Sequence, residues 1–356
     1  MTFDALVDQP PFGMTAAEKE RRLLPDLNAM GRHHYAHCAP YRKIADAIWG
    51  EPQPAEQLCD LPYLPVSIFK EIELSSIATP TMVLQSSGTS GQRPSRIVID
   101  GITAQRQARA LVATFRGVLG TSRLPLLVID TRKVISDPKS LSARGAGILG
   151  MMKFGARSTF ALDDDLASQR DVIGSFVQKY GGAPFFLFGF TFLVWKSLFE
   201  AYRDGELDLS NATLIHSGGW KKMEADKVTN AVFRSRMATR FNLTRIYNFY
   251  GFVEQIGSIF LEGPDGLLYA PNFADIIVRD PESWAPAPAG QPGVIQVVSL
   301  LPLSYPGHSV LTEDLGVIET VDAGTGGRLG KAARIIGRVP RTELRGCSDV
   351  IATAYS

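Results

Sequence analysis

The chain has 356 residues, of which 45% are hydrophobic and 21% are charged, an ordinary globular composition. A formal net charge of +1 gives no overall basic field that would favour nucleic acid or anionic membranes. Cys38, Cys59 and Cys347 are too few and scattered for a disulfide framework, and the most apolar run, 184–195, is shorter than the roughly 20 residues that span a bilayer. We expect a soluble, cytoplasmic protein whose partner is a small molecule or a protein.

Three stretches of different character follow along the chain. Residues 15–48 have helical spacing and predict a helical leader within an N-terminal segment, 1–80, packed on the main body. From residue 81, strand-like runs alternate with helical runs, which predicts α/β layering. The strand-like runs are MVLQ, RIVI, LPLLVID, PFFLFGF, ATLIHSGG and RIYNFYG, and the helical ones are 105–119 and 228–237. Beyond about residue 257, strands separated by Gly- and Pro-rich turns predict a smaller β-rich subdomain.

The sharpest local motif is QSSGTSGQRP at 85–94, directly after the strand-like MVL. Glycines let the backbone turn tightly, and the surrounding N–H and hydroxyl groups suit phosphate oxygens. The segment lacks the Gly-Lys-Ser/Thr ending of a Walker loop. By itself it is open to two interpretations, a phosphate-binding loop or a flexible surface turn.

This loop resembles the phosphate-binding loop of the acyl-adenylate-forming superfamily, and further motifs follow in that superfamily's order. The resemblance implies ATP and Mg²⁺ as cofactors and the large-domain fold of these enzymes over 81–336. The implied phosphate contacts are Ser86, Ser87, Gly88, Thr89, Ser90 and Gly91. The implied adenine region comprises Ser217, Gly218 and Gly219 after His216, together with Asn248, Tyr250 and Gly251. Glu254 is the implied magnesium ligand, Asp314 the ribose acceptor and Arg338 the hinge arginine.

The sequence also departs from the superfamily pattern. Glu313 replaces a glycine of the ribose motif, and Arg341 stands where these enzymes usually carry a hinge aspartate. Residues 337–356 are much shorter than the usual mobile C-terminal domain. We therefore expect that domain to be vestigial, reduced to a short tail.

Three further stretches are similar to the LuxE-type acyl-protein synthetases: LPVSIFK at 64–70, SARGAG at 142–147 and FGFT at 188–191. Members of this family form a fatty acyl-AMP, move the acyl group to a cysteine near their own C-terminus and pass it to a reductase. Here the resemblance implies Cys347 as the acyl acceptor. A cysteine thiolate is a strong nucleophile, and Arg345 would favour its ionised form. An inert tail cysteine is the alternative.

Other polar and aromatic residues are weighed as substrate contacts. Phe188 and Phe190 lie in a predicted buried strand that leads into a helix capped by Thr191, and one face of that strand can line an apolar pocket. His216 is a further candidate. Arg144 suits a carboxylate or phosphate, or else a surface salt bridge.

Two sets of residues are not assigned a site. His33/His37 and His34/Cys38 are each four apart on a helix, but the two pairs point about 100° apart and cannot converge on one ion. A packed helix face is the better interpretation. Cys59 is expected to be a small buried hydrophobic residue.

We expect an ATP-dependent ligase that activates an apolar, fatty or aromatic acid as acyl-AMP and transfers the acyl group to Cys347, for delivery to a partner protein. One alternative is an adenylating ligase that acylates coenzyme A, a carrier protein or an amine. A second is a non-catalytic nucleotide- or acyl-binding subunit. Carboxylate-dependent exchange of pyrophosphate into ATP separates enzyme from binder.

Overall fold

A computed structural model describes residues 3–85, 94–136, 141–220 and 227–339. The chain forms two compact units, one from Met1–Thr114 with Gly251–Ser356 and the other from Phe115–Tyr250. The predicted phosphate-loop residues 86–91 and the predicted acyl acceptor Cys347 lie outside the described residues.

Helices dominate the start of the chain, and strands dominate its end. The helices are α1 (Phe3–Val7), α2 (Ala16–His37), α3 (Ala39–Ile48), α4 (Ile68–Glu71), α5 (Gly101–Leu119), α6 (Ala143–Met152), α7 (Arg170–Tyr180), α8 (Thr191–Val194) and α9 (Asn230–Phe241). The strands are β1 (Leu64–Pro65), β2 (Met82–Gln85), β3 (Arg96–Ile99), β4 (Leu124–Thr131), β5 (Leu141–Ser142), β6 (Gly155–Leu162), β7 (Phe185–Phe190), β8 (Ala212–Ser217), β9 (Arg245–Tyr250), β10 (Phe260–Glu262), β11 (Leu268–Tyr269), β12 (Ala274–Arg279), β13 (Gly293–Ser299), β14 (Ser309–Val321) and β15 (Lys331–Arg338). Across the described ranges, every helix is too short or too polar to cross a bilayer.

The predicted helical leader is two helices rather than one. Thr15 caps α2 by accepting a hydrogen bond from the Glu18 N–H at 3.2 Å. The chain becomes extended at Cys38, between α2 and α3. This break places Pro40 in the first turn of α3, where its missing N–H removes no helical hydrogen bond. The proline therefore explains why a continuous helical pattern is interrupted.

The histidine-rich end of α2 packs as a helix face, as predicted. His34 and Cys38 are buried, whereas His33 and His37 are exposed and stack on each other with ring centroids 4.5 Å apart. His34 bonds Ser76 Oγ through Nδ1 at 2.8 Å. No group of three or more His, Cys, Asp or Glu residues in the described part of the chain could hold a metal ion.

Three local predictions need correction. The helix predicted to begin at residue 105 begins at Gly101, because the Asp100 carboxylate accepts from the Thr103 N–H at 2.7 Å and so caps the chain earlier. Cys59 is half-exposed rather than buried. Thr191 does not cap α8 but is its first residue. Its hydroxyl donates a hydrogen bond to the Ser217 carbonyl within the second unit instead.

The first unit contains an antiparallel array of strands in the order β12-β13-β14-β15-β11-β10. β1 pairs in parallel with β14, and the Val66 N–H donates to the Leu311 carbonyl at 2.8 Å just beyond it. The Gly- and Pro-containing segment 290–293 leads directly into β13. Strands are thus the main secondary structure of the described chain beyond residue 257, and a separate β-rich subdomain stays a prediction.

The second unit is a parallel sheet in the order β6-β4-β7-β8-β9. From β4 the chain passes to β6, which lies on one side of β4, and then to β7, which lies on the other side. The topological switch point therefore falls between β4 and β7. Ligands of open α/β sheets bind beyond the carboxyl ends of the strands at such a point. The hydrophobic core of this unit consists of aliphatic and aromatic side chains, including Phe185, Leu187 and Phe241.

Candidate active site

The predicted phosphate loop joins the two strands of a hairpin in the first unit. β2 and β3 pair antiparallel with Gln85 opposite Arg96, so the chain enters and leaves the loop at neighbouring points. Ser95 follows the loop, is fully buried, and lies near enough to the Glu254 carboxyl group to lower its pKa. Ser95, just after the predicted phosphate loop, therefore lies near the predicted magnesium ligand.

Glu254 is held by a short 3-10 turn, Val253–Gln255, whose members are all buried. The Gln255 amide donates to two backbone carbonyls, one of them that of Gly307 at 2.8 Å. The Tyr305 hydroxyl donates to the Glu254 carbonyl at 2.9 Å. Backbone and neighbouring side chains thus fix the turn that carries the Glu254 carboxyl group.

The electrostatic surroundings of Glu254 are mixed. Burial raises the pKa of its carboxyl group, and the nearby Glu313 carboxylate adds to that rise. The Ser95 hydroxyl and the Lys70 ammonium act in the opposite direction and lower this pKa. A buried carboxyl group between opposing influences of this kind is typical of functional sites.

The predicted ribose acceptor and hinge arginine lie opposite each other on adjacent strands. Asp314 on β14 pairs in register with Arg338 on β15. Arg338 Nε lies 3.6 Å from Asp314 Oδ1, which is an ion pair but longer than a hydrogen bond. The Arg338 side chain is 75% exposed, so this contact contributes little to stability.

The predicted adenine and substrate residues of the second unit end three neighbouring strands. Phe190 on β7 pairs with Ser217 on β8, which pairs with Phe249 on β9. The Ser217 hydroxyl donates to the Phe249 carbonyl at 2.8 Å. Gly218 follows with φ +81°, a left-handed conformation that glycine adopts without strain.

The remaining predicted adenine residues lie along the same edge or just after it. Asn248 and Tyr250 are half-buried members of β9, and Gly219 is exposed after β8. Gly251 is half-buried and opens the return of the chain to the first unit. The predicted nucleotide residues are therefore divided between the two units.

His216 is fully buried one residue before this edge. The Thr191 hydroxyl donates to the Ser217 carbonyl at 3.2 Å, so it accepts from His216 Nδ1–H at 3.0 Å. Burial, aided by the positive charge of Arg234, lowers the pKa of His216 to about 3. The imidazole is neutral near pH 7 and supports the Ser217 turn from within the core. Its role as a substrate contact stays a prediction.

Arg144 forms a salt bridge, as the alternative sequence interpretation expected, but its partner Asp130 is buried rather than on the surface. Its Nε donates to Asp130 Oδ2 at 2.6 Å and its Nη2 to Oδ1, a two-pronged arrangement. Asp130 is 1% exposed at the end of β4, whereas Arg144 in the first turn of α6 is 22% exposed. The pair joins strand and helix beside the topological switch point. A role for Arg144 at the substrate stays a prediction.

Phe190 stands between two glycines. A Cβ atom built on Gly147 would lie 3.8 Å from Phe190 Cζ, and one built on Gly218 would lie 3.2 Å from Phe190 Cδ1. Phe188 is fully buried, and its ring centroid is 6.0 Å from that of Phe190. Small residues on both sides thus leave room for a half-buried aromatic ring at the carboxyl end of β7.

A separate cavity of about 660 Å³ lies in the second unit near the ends of β4 and β6. Its lining is largely polar and includes Arg132, Asp163, Asp164 and Asp165. Arg144, Phe188, Phe190 and His216, the described residues predicted for the substrate, are not among those that line it.

Comparison with known proteins gives the family. Residues 2–356 match the family described as acyl-protein synthetase, LuxE. The chain belongs to the LuxE acyl-protein synthetase family. Two relatives are long-chain-fatty-acid–luciferin-component ligases. That of Vibrio harveyi is 22% identical over 91% of this chain and 86% of the relative, and that of Aliivibrio fischeri is 20% identical over 74% and 70%.

Solved structures give the same fold. A 2-hydroxyisobutyryl-CoA ligase superposes with a TM-score of 0.64 at 20% identity, covering 92% of this chain and 71% of that chain. MatB from Rhodopseudomonas palustris, in its ATP-bound form, has a TM-score of 0.50 at 17% identity, covering 73% and 48%. The predicted adenylate-forming fold is confirmed. As a LuxE family member the chain is an acyl-adenylate-forming ligase.

One residue of the site was not singled out from the sequence. Lys70 lies within electrostatic range of Glu254 although the two are far apart in the chain. Its only sequence signal was membership of the LPVSIFK stretch that resembles the LuxE family. That stretch supported the family assignment, but it carried no chemical role for the lysine.

Proposed function

We propose that this LuxE family member activates a long-chain fatty acid with ATP, holds the acyl group as a thioester on Cys347 and delivers it to a partner protein. The observation that carries the nucleotide part is the buried, hydrogen-bonded turn of Glu254, with Ser95 from the end of the predicted phosphate loop nearby. The fatty acid and the protein acceptor are suggested by the names of the two luciferin-component ligases.

In the first step a carboxylate oxygen of the acid attacks the α-phosphorus of ATP. The bond to the β-phosphate oxygen breaks, pyrophosphate leaves and an acyl-AMP mixed anhydride forms. This chain contributes mainly by positioning and charge. Loop hydroxyls from 86–90 contact the phosphates, Asp314 accepts from the ribose hydroxyls, and Arg338 contacts the nucleotide.

Glu254 fits the magnesium that such a reaction uses. A carboxylate oxygen is a hard ligand, and Mg²⁺ is commonly held by one or two carboxylates together with substrate phosphates. Magnesium would neutralise phosphate charge in this site. The chain's own task is to keep the Glu254 carboxyl fixed beside the phosphate loop, which the Val253–Gln255 turn supports.

The acid would bind at the carboxyl edge of the second unit's sheet. Phe190 and Gly147 form an apolar surface there, backed by the fully buried Phe188, and this surface suits a hydrocarbon chain. Arg144 is already paired with Asp130, which favours an acid with no second charged group. We retain Phe188, Phe190, His216 and Arg144 as the proposed substrate residues.

In the second step the Cys347 thiolate attacks the acyl carbon of the anhydride. The carbon–oxygen bond to AMP breaks, AMP leaves and a thioester forms. A thioester remains reactive enough to pass its acyl group to a nucleophile on a partner. In this proposal the tail 337–356 serves as the acyl carrier of the chain, next to the main domain 81–336 and the N-terminal segment 1–80.

The test is labelling of the purified protein with radioactive fatty acid and Mg-ATP. We expect a hydroxylamine-sensitive label on wild-type protein and on the Cys59→Ser control, and no label on Cys347→Ser. Pyrophosphate exchange should be nearly unchanged in both variants, because acyl-AMP formation needs no thiol.

Three outcomes would contradict the proposal. A hydroxylamine-sensitive label that persists on Cys347→Ser would remove Cys347 as acceptor. Free acylation of coenzyme A by a wild-type protein that never becomes labelled would favour an adenylating ligase without self-acylation. Absence of carboxylate-dependent exchange in wild-type protein would remove the adenylation step itself.

A further inference from the structure

Lys70 is brought to Glu254 by the packing of α4 in the first unit. Phe69, its neighbour, is buried edge-on against Tyr305, with ring centroids 6.3 Å apart. Tyr305 in turn donates its hydroxyl hydrogen to the Glu254 carbonyl at 2.9 Å. The same aromatic pair therefore places the end of α4 beside the Glu254 turn.

The approach to α4 is fixed as well. β1 runs parallel to β14, and the Val66 N–H donates to the Leu311 carbonyl at 2.8 Å. Continuing along the two segments, the chain reaches Lys70 on one side and Glu313 and Asp314 on the other. Lys70 is half-buried and sits one residue before the end of α4.

The charges around Lys70 bear on how this part of the first unit would bind a polyphosphate. The Glu313 carboxylate raises the pKa of the Glu254 carboxyl group and the Lys70 ammonium lowers it, so both charges lie near Glu254. A bound polyphosphate with its cation would offer Glu254 a new partner. The Lys70 ammonium would then face phosphate oxygens, for which a lysine side chain is a suitable point charge.

We propose that Lys70 is a phosphate-binding residue of the nucleotide site, the counter-ion of Glu254 without ligand and a direct contact of the ATP phosphates with it. This inference rests on the proposed function. It adds a cationic group to a site whose predicted first-unit residues at the nucleotide otherwise comprise hydroxyls, carboxylates and the exposed Arg338.

Calorimetric titration of the full chain tests the role. Lys70→Met should weaken Mg-ATP binding about 10–100-fold, the range that corresponds to the loss of one charge-assisted hydrogen bond. Adenosine affinity should be unchanged, because adenosine carries no phosphate. Lys70→Arg should retain most of the ATP affinity. Lys43→Met, an exposed lysine change in the same unit, is the matched control and should bind ATP like wild type.

The outcomes separate this inference from the proposed function. If wild-type protein binds no Mg-ATP, the proposed function fails. If wild type binds Mg-ATP and Lys70→Met binds it equally well, the Lys70 role is wrong. An equal loss of ATP and adenosine affinity would mean that Lys70 only maintains the local structure, which also overturns the inference.

Discussion

The predicted site residues of the two units differ in chemical character. In the first unit the site residues are charged and held by hydrogen bonds, as Glu254 is by its turn. In the second, the residues at the sheet edge are aromatic or neutral: Phe188, Phe190 and a histidine whose pKa is about 3. At that edge the positive charge of Arg144 forms a salt bridge with the Asp130 carboxylate.

This difference teaches how an adenylate-forming ligase divides its work. Polyphosphate recognition needs fixed charge and hard oxygen ligands, whereas recognition of a hydrocarbon chain needs apolar surface without unpaired charge. A change in the first unit should therefore affect reaction with every acid. A change in the second should affect stability or the choice of acid.

The largest expected effect is on stability, from the ion pair of the second unit. Asp130→Asn leaves the largely buried Arg144 without its charged partner, and removing one member of such a pair costs about 3–5 kcal/mol. The free energy of unfolding in urea measures it. Glu206→Gln, which breaks the exposed Arg170–Glu206 pair, is the control and should cost less than about 1 kcal/mol. Similar values for both variants would mean that burial of the Arg144 pair is unimportant.

The next effect is on catalysis in the first unit. Glu254→Gln keeps the shape of the side chain but replaces a carboxylate by a poorer magnesium ligand. Because loss of an outer-shell partner of a metal already costs 10–100-fold, pyrophosphate exchange should fall by at least about 100-fold. Glu319→Gln, on β14 of the same unit, is the control and should retain exchange. Near-wild-type exchange by Glu254→Gln would place the metal elsewhere.

Much of the fold could be predicted because its signals are local. Apolar strands bounded by Gly, Pro and polar residues predicted β7, β8, β9 and the antiparallel strands after residue 257. The family was likewise predicted from ordered short motifs and is confirmed over the whole chain. The single helix over 15–48 was wrong because its periodic pattern outweighed the local effect of Pro40.

The pairings in the site had no local signal. Arg144 and Asp130 meet because a helix start returns to the end of a strand, and sequence spacing gives no such geometry. Lys70 comes near Glu254 because Phe69 packs on Tyr305, a contact between distant segments. Burial by tertiary packing also lowers the pKa of His216, which sequence alone presented only as a possible substrate contact.

The relative rate with long-chain and short-chain acids tests most directly whether the first unit serves the nucleotide and the second unit the acid. The measurement is the ratio of kcat/KM for a long-chain and a short-chain acid in pyrophosphate exchange by wild type, Phe190→Ala and Glu254→Gln. Phe190→Ala should change this ratio by at least about 10-fold, as changes in an apolar pocket do, and should leave the KM for ATP unaltered. Glu254→Gln should lower both rates by the same factor. A Phe190→Ala variant with the wild-type ratio, or a Glu254→Gln variant with a changed ratio, would contradict the account.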